Sequence, residues 1–363
     1  MENKSLEQIS QETIEETSKK LGKINILICG KTGVGKSTLI NAVFGSEYAK
    51  IGQGKPVTQN IEKIHKNDSP LDLYDSRGLE CKDYEKILED LKDFLNSKRN
   101  INDISEQIHL AWICIDENSR RVETAERELG KLLKDKEVPY IVVITKVIHD
   151  NGFSDVVCKE MNIPKKNIVR VRALKQKVDE TNIELPIFGL QDLINLTYEL
   201  IPEATKNAFV AAQKVDLKYK LIKCQAAIGV GAAAAAACGA VPIPFSDCFL
   251  LIPVLVAMLS MISFLFNMKL DKGFLGSLIS SVIGCSASIF GGRKLAYKLI
   301  RFFKVIPGVN LITNVITGAT AFTLTTTLGE VYMGVLVYLT KDGKIPTTDE
   351  ILKEFKKRFN EKV

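Results

Sequence analysis

The chain has no CxxC pair and no histidine at metal-ligand spacing, although it carries 8 cysteines and 3 histidines in 363 residues. This excludes a cysteine–histidine metal module. Cys29 and Cys114 lie inside apolar, strand-like runs and read as small buried thiols, a usage that fits a reducing cytoplasm. No Lys/Arg block or aromatic-interleaved basic stripe accompanies the net charge of +6, so DNA is not an expected partner, while RNA or the ribosome stays open. The first 22 residues, MENKSLEQISQETIEETSKKLG, lack an apolar core and read as an amphipathic helix rather than a secretory signal. Charge itself becomes scarce between Cys224 and Leu339, where Ala, Gly, Ser, Leu and Ile take over. That stretch also lacks His, paired carboxylates and a nucleophile elbow, so no catalytic constellation is expected there.

What is present divides in two. Mean hydropathy is +0.06, high for a wholly soluble protein, and the length suffices for two domains. Residues 24 to 200 alternate apolar runs with charged helical stretches. INILICG, LDLYD, IHLAWICID, YIVVIT and NIVRVRAL (167–174) read as strands, and IEKIHK alternates as an edge strand does. KSTLINAVFG, DYEKILEDLKDFLNSK and RVETAERELGKLLKD read as helices. Such alternation predicts an α/β fold, a mainly parallel sheet with helices on both faces and ligands at the carboxyl ends of its strands.

The strongest motif is Gly30-Lys31-Thr32-Gly33-Val34-Gly35-Lys36-Ser37, a G-x-x-x-x-G-K-[S/T] phosphate loop between a strand and a helix, with Thr38 following. Its glycines let successive N–H groups converge on phosphate oxygens, and the helix adds its positive end. Lys36 would bridge β- and γ-phosphates, and the Ser37 hydroxyl would ligate Mg²⁺. Asp75 closes LDLYD and opens the D-x-x-G sequence Asp75-Ser76-Arg77-Gly78, where a carboxylate can hold Mg²⁺ and the Gly78 N–H can meet the γ-phosphate. Between the two lies GQGKPVTQNI, read as a Gly/Pro-rich loop with Thr58 as the switch threonine that completes the metal shell. The metal ligands are thus Ser37, Thr58 and Asp75, and the catalytic roles fall to Lys36, Thr58 and Gly78.

GKTGVGKSTLINAVFG, KPVTQNI, LYDSRGLE and VVITK together resemble the Era/TrmE-type small GTPases and also the dynamin-related immunity GTPases. The resemblance covers residues 22 to 201 and implies a Ras-like fold, Mg²⁺–GTP as ligand and GDP as product. Guanine would be contacted by Thr145 and Lys146, and by Ala173 and Leu174 of Arg172-Ala173-Leu174, where the Ala173 N–H would meet O6. Two departures bear on mechanism. Where the family has N/T-K-x-D, the chain reads Thr145-Lys146-Val147-Ile148, so Ile148 stands at the base-selecting aspartate unless Asp150 swings in. Leu79 follows D-x-x-G and cannot orient water, which leaves that role to backbone, another side chain, a K⁺ ion or a partner and implies slow turnover. Arg77 reads as a solvated switch residue or an internal charge-stabilising group.

After Pro202, EATKNAFVAAQKVDLKYKLIKCQAA reads as one helix with a solvated basic face. Two apolar helices joined by PIPFSD follow, with Ser246 or Asp247 as N-cap, and residues 248–267 carry no charge. A helix of that length is about 30 Å long, enough to cross a bilayer. Lys214, Lys218, Lys220 and Lys223 at one end and Lys269 and Lys272 at the other obey the positive-inside rule for a hairpin. Further apolar stretches at 273–292 and 305–329 flank RKLAYKLIRFFK, which suits an anionic lipid surface. A compact soluble bundle is the competing reading. PIPFSD, Lys304-Val305-Ile306-Pro307-Gly308 and Thr326-Thr327-Leu328-Gly329-Glu330 resemble a helical domain of unknown function found behind bacterial GTPase domains.

The expected organisation is therefore an N-terminal helix (1–22), a Ras-like P-loop NTPase domain (23–201), an all-α apolar domain (202–340) and a charged C-terminal helix (341–363). The expected role is a slow GTPase switch with Mg²⁺ and, as a further candidate, K⁺, at the cytoplasmic face of the inner membrane or in the cytoplasm. Its expected partners are GTP/GDP, membrane lipid and a second copy through the G domain. A dynamin-like self-assembling GTPase, a ribosome- or tRNA-linked assembly factor and a binding module without turnover are the alternatives.

Overall fold

The structure is a computed structural model that describes residues 6–45, 48, 55–58, 61–66, 69–76, 84–99, 103–177, 183–238, 247–268, 270, 273–275, 277–278, 318–341 and 344–362. It divides into two compact units, Gly22–Leu217 and the combination of Met1–Leu21 with Lys218–Val363.

The first unit is built on a seven-stranded sheet. Strand β1 (Ile24–Cys29) pairs in parallel with β4 (Leu71–Ser76) on one side and β5 (Leu110–Asp116) on the other. Beyond β5 come β6 (Tyr140–Thr145) and β7 (Ile168–Arg170), both parallel. Beyond β4, β3 (Ile61–His65) and β2 (Lys55–Thr58) run antiparallel, giving the order β2-β3-β4-β1-β5-β6-β7. This is the Ras-like arrangement, a mainly parallel sheet with an antiparallel margin. Two expectations are corrected here. KPVT forms a strand where a loop was expected, because its pairing with β3 satisfies backbone that the Gly/Pro-rich composition had suggested would be solvated. The alternating IEKIH strand is consequently flanked on both sides rather than lying at the edge.

The helices that cover this sheet follow from the side-chain alternation of its strands. Leu27, Tyr74, Ile113 and Ile144 point to a core shared with α3 (Tyr84–Arg99), α4 (Thr124–Asp135) and α5 (Phe153–Met161). On the opposite side Trp112, fully buried in β5, stacks on Phe44 with ring centroids 5.8 Å apart. Phe44 ends α2 (Lys36–Phe44), the helix leaving the phosphate loop. The Trp112 indole N–H donates to Thr197 Oγ1 of α6 (Leu190–Leu200) at 3.2 Å, so one aromatic fixes both helices to the sheet. At the amino ends of the strands the buried Asp72 carboxylate faces Lys63 Nζ at 2.7 Å, Lys23 Nζ at 3.0 Å and His65 Nδ1 at 2.6 Å. That end is closed by ion pairs. The carboxyl ends carry the loops.

The stretch read as one long helix after Pro202 is two helices. The α7 helix (Glu203–Ala212) stops because Gln213 and Asp216 bond reciprocally: Asp216 N–H donates to Gln213 Oε1 and Gln213 Nε2 to the Asp216 carbonyl, each at 2.7 Å. The next helix, α8 (Leu217–Cys238), then runs without interruption through LKYKLIKC into the alanine-rich segment.

In the second unit, α8 packs with α9 (Asp247–Leu265) and α10 (Gly318–Thr340) through small residues. A Cβ at Gly231 would meet Met258 at 3.1 Å, and one at Gly329, inside the T-x-L-G-E stretch, would meet Ile228 at 2.6 Å. Buried Ser263 and Tyr332 share a hydrogen bond at 2.7 Å, and Tyr332 meets the edge of Phe355 from α11 (Thr348–Lys362). The N-terminal helix α1 (Leu6–Leu21) lies along α9 and so joins this unit. The expectations for residues 239–246, Lys269, Lys272 and 279–317, including RKLAYKLIRFFK and Lys304-Val305-Ile306-Pro307-Gly308, fall outside the described residues.

Glycine conformation supplies a direct test. Gly189 has φ 75° and an added Cβ would lie 1.8 Å from the Arg170 carbonyl, whereas Gly152, at φ 78°, has open space around it. Gly152→Ala is expected to cost about 1 kcal/mol, the left-handed term alone. Gly189→Ala is expected to cost at least ~3 kcal/mol and to lower the melting midpoint by on the order of 6 °C or more. Equal midpoints for the two variants in thermal circular dichroism would contradict the packing described.

Candidate nucleotide-binding site

The loop from β1 to α2 turns on three glycines in conformations that other residues rarely adopt: Gly30 at φ 147°, Gly33 at 75° and Gly35 at 104°. Gly30 is also fixed by space, since a Cβ there would sit 2.6 Å from the Cys114 carbonyl of β5. Lys36 lies in the first turn of α2, and its side chain folds back over the loop. Its Nζ donates to the Gly30 carbonyl at 2.7 Å and the Lys31 carbonyl at 3.2 Å. Lys31 is tied by an ion pair to Glu123, which caps α4. Ser37 and Thr32 are exposed at the mouth, and Val34 is buried beneath.

Strand register brings the second element in. Asp75 lies opposite Ile28 of β1, so it emerges beside the loop, with Oδ1 4.0 Å from Lys36 Nζ. That oxygen is buried and accepts no hydrogen bond among the described residues. Burial pushes the Asp75 carboxyl up to about 6, with Lys36 pulling it down and Glu62, its neighbour across β3, pushing it further up. A buried carboxylate oxygen with no hydrogen bond, at the mouth of a loop that carries an exposed serine, is a donor type suited to a hard divalent cation, and Mg²⁺ fits it. Ser37 and Asp75 would hold it. Among the described residues there is no cluster of three or more His, Cys, Asp or Glu, and a Mg²⁺ bound largely by phosphate oxygens and water needs none. Thr58 closes β2, but its side chain is not among those described; Gly78, Arg77 and Leu79 lie outside the described residues.

The third element is the cleft where a base would sit, with a volume of about 320 Å³. Gly35, Thr38, Thr145, Lys146, Ala173 and Leu174 all line it, so the structure gathers the residues of the expected base contact around one opening beside the phosphate loop. Thr145 is buried and ties the sheet to the loop: its hydroxyl stands 2.6 Å from the Val34 carbonyl and 3.2 Å from the Ile115 carbonyl. Lys146, at φ 53°, pairs with Asp116 at 2.7 Å.

Sequence reasoning missed the carboxylate that organises this region. Glu117, buried just after β5, accepts from the Ile148 N–H at 2.5 Å and the His149 N–H at 2.9 Å with one oxygen. Its other oxygen receives Arg170 at 2.7 and 3.3 Å. The available signal was the acidic pair Asp116-Glu117 at the carboxyl end of a buried strand. Asp150 does not enter the base cleft. It bonds Ser154 and faces Arg170 instead.

The sheet order, the glycine turn with its buried lysine and the orphaned carboxylate at the next strand end define a P-loop GTPase domain of Ras-like fold. Residues 25–146 match the model of the family described as 50S ribosome-binding GTPase. No curated protein matches the chain. Similar solved structures include a probable GTP-binding protein, EngB, with 20% identity over 41% of this chain and 89% of the other and a TM-score of 0.33. Toc33 from Arabidopsis thaliana in complex with GDP and Mg²⁺ shows 19% identity over 57% and 96% with a TM-score of 0.34. A dimerization-deficient mutant of the same protein shows 18% over 55% and 91% with a TM-score of 0.34.

Asp75 gives a signed prediction. Its folded value near 6 lies above the ordinary 3.8, so the folded protein without nucleotide binds the extra proton between those values and this contribution to stability is lost as pH rises through about 6. Asp75→Asn is therefore expected to raise the melting midpoint of the nucleotide-free protein at pH 7.5 while weakening Mg²⁺–nucleotide binding at least tenfold. A variant that melts lower and binds as before would refute this role.

Proposed function

We propose that the chain is a guanine-nucleotide switch that binds Mg²⁺–GTP, hydrolyses it slowly and passes the change of state to its helical unit. The observation that carries this reading is the preformed phosphate loop, with Lys36 folded over its carbonyls and the unpartnered Asp75 oxygen beside it. Loop amides and Lys36 would bind and orient the phosphates. Bound Mg²⁺ would neutralise charge on the phosphates. Ser37 and Asp75 would position it, and Thr58 and Gly78 would order around the γ-phosphate and relax after hydrolysis. Leu79 gives water no side-chain partner, which supports slow turnover.

Coupling to the helical unit is supported by how the G unit holds its two exits. Gly22 sits where an added Cβ would lie 2.6 Å from the Ala204 carbonyl of α7. The Lys214 N–H donates to the Val43 carbonyl at the end of α2, at 2.8 Å, three residues before α8 begins. A shift of α2 on nucleotide exchange would reach the second crossing directly, through Val43 and Lys214.

Location at a membrane is part of the proposal. The helices Leu217–Cys238 and Ala321–Thr340 are long and apolar enough to cross a bilayer, and only 28% of the first one's apolar window is buried. The α8 helix buries Cys224, Ile228, Ala232 and Ala235 but leaves Ile222 and Val230 exposed. A soluble bundle would cover that face with protein, whereas lipid would cover it without. A second reading, a ribosome-linked factor of the Era/TrmE type, is favoured by the match of residues 25–146 to the 50S ribosome-binding GTPase family.

Single-turnover hydrolysis of GTP by the full-length chain is expected at a rate on the order of 10⁻³ per second or slower. Turnover at many per second by the monomer would overturn the slow-switch reading. After cell fractionation the chain is expected in the membrane pellet and to stay there through carbonate. Release by carbonate, or salt-sensitive sedimentation with ribosomal particles, would favour the alternatives.

A further inference from the structure

We propose that the base cleft reads the 6-oxo edge of a purine and leaves the 2-amino group unread, so the site takes 6-oxopurine nucleotides as a class. This rests on the nucleotide-binding reading above and specifies its ligand. Guanine and hypoxanthine differ only in the 2-amino group, and a site separates them when it aims an acceptor at those N–H groups.

None of the described residues lining the cleft is Asp or Glu. Among the described residues, three acids lie close in sequence to the Asn118 and Lys146 walls, and each is committed elsewhere. Asp116 pairs with Lys146 through one oxygen, and through the other accepts from the backbone and side-chain N–H groups of Asn118, both at 2.9 Å. Glu117 is saturated by two backbone N–H groups and Arg170. Asp150 is locked at both ends of its residue. Its carboxylate oxygen accepts from the Ser154 N–H at 3.0 Å and hydroxyl at 2.7 Å, and lies 3.5 Å from Arg170 Nε. Its carbonyl accepts from Phe153 N–H at 2.8 Å and Arg120 at 2.9 Å. It lines a separate cleft with Lys165 and Asp192. Bringing Asp150 to the base would break all of these bonds, and the grip of Glu117 on Ile148 and His149 opposes any such movement of the loop.

What the cleft does offer suits the edge that all 6-oxopurines share. Ala173 lines it and brings a backbone N–H, which complements an oxo oxygen and opposes the amino group of adenine. Asn118 brings a neutral acceptor. Because Asp116 can only accept, the amide nitrogen of Asn118 faces Asp116 and its oxygen is turned away, the group that a ring N1–H requires. Glu117 acts as a positioning residue, holding the loop that carries Lys146 without touching the base.

The test is calorimetric titration of the full-length chain, with Mg²⁺, by GDP, IDP and ADP. GDP and IDP are expected to bind within about threefold of one another and ADP at least about tenfold more weakly. In Asp150→Asn the GDP-to-IDP ratio is expected to stay within about twofold of the parent, because an amide oxygen still accepts from Ser154. A parent preference for GDP over IDP of tenfold or more overturns the proposal alone, as does a ratio that collapses in Asp150→Asn. Failure of all three nucleotides to bind removes the nucleotide reading itself.

Discussion

An ammonium group that is almost wholly inside a protein has to be surrounded by oxygen, and the G unit is arranged around that requirement at Lys36, which is 9% exposed. The chain supplies two carbonyls of its own loop and places the Asp75 carboxylate at 4.0 Å. To bring those carbonyls round, the backbone must pass through left-handed glycine conformations, and to keep the turn against the sheet it needs Gly30 against Cys114 and the Thr145 hydroxyl against Val34. Each is a consequence of putting one cation where a polyphosphate belongs. Beside it, the Asp75 oxygen is buried with no hydrogen bond among the described residues, which is what the proposed cation site requires.

Much of this was legible in the residues. The phosphate loop needs its glycines, lysine and serine at fixed offsets between a strand and a helix, and the strands INILIC and YIVVIT that enter the loop and carry Thr145 read as mainly apolar runs. β2 was not legible, since KPVT has a strand's propensity only once β3 offers it partners. The break between α7 and α8 was hidden as well. It depends on a reciprocal pair, Gln213 with Asp216, whose residue types are common in helices and whose geometry appears only in three dimensions. Glu117 escaped for a related reason: a carboxylate that satisfies backbone N–H groups of a distant loop leaves no spacing pattern in sequence. Ile148, by contrast, was visible as a departure, and what the structure adds is that its backbone N–H is held by Glu117.

The second unit follows a different logic. Its helices approach through glycine and alanine, with Gly231 and Gly329 admitting Met258 and Ile228, and a buried hydroxyl pair joins Ser263 to Tyr332. Close packing of this kind serves in water and in lipid alike, so the sequence could not choose between them. The N-terminal helix joins this unit rather than the G unit, so the sheet is inserted between two segments of a single helical body and both exits run through elements of the G unit. Within the G unit, the Lys214 N–H and the Val43 carbonyl tie the end of α2 to the segment that leads into α8.

The claim at the centre is that Lys36 sits where it does for a nucleotide's phosphates. Calorimetric titration of Mg²⁺–GDP into the parent chain and into Lys36→Ala measures it directly. The account predicts a loss of affinity of about a hundredfold or more, roughly 3 kcal/mol, in a variant that keeps its fold. An affinity equal to the parent's would contradict it.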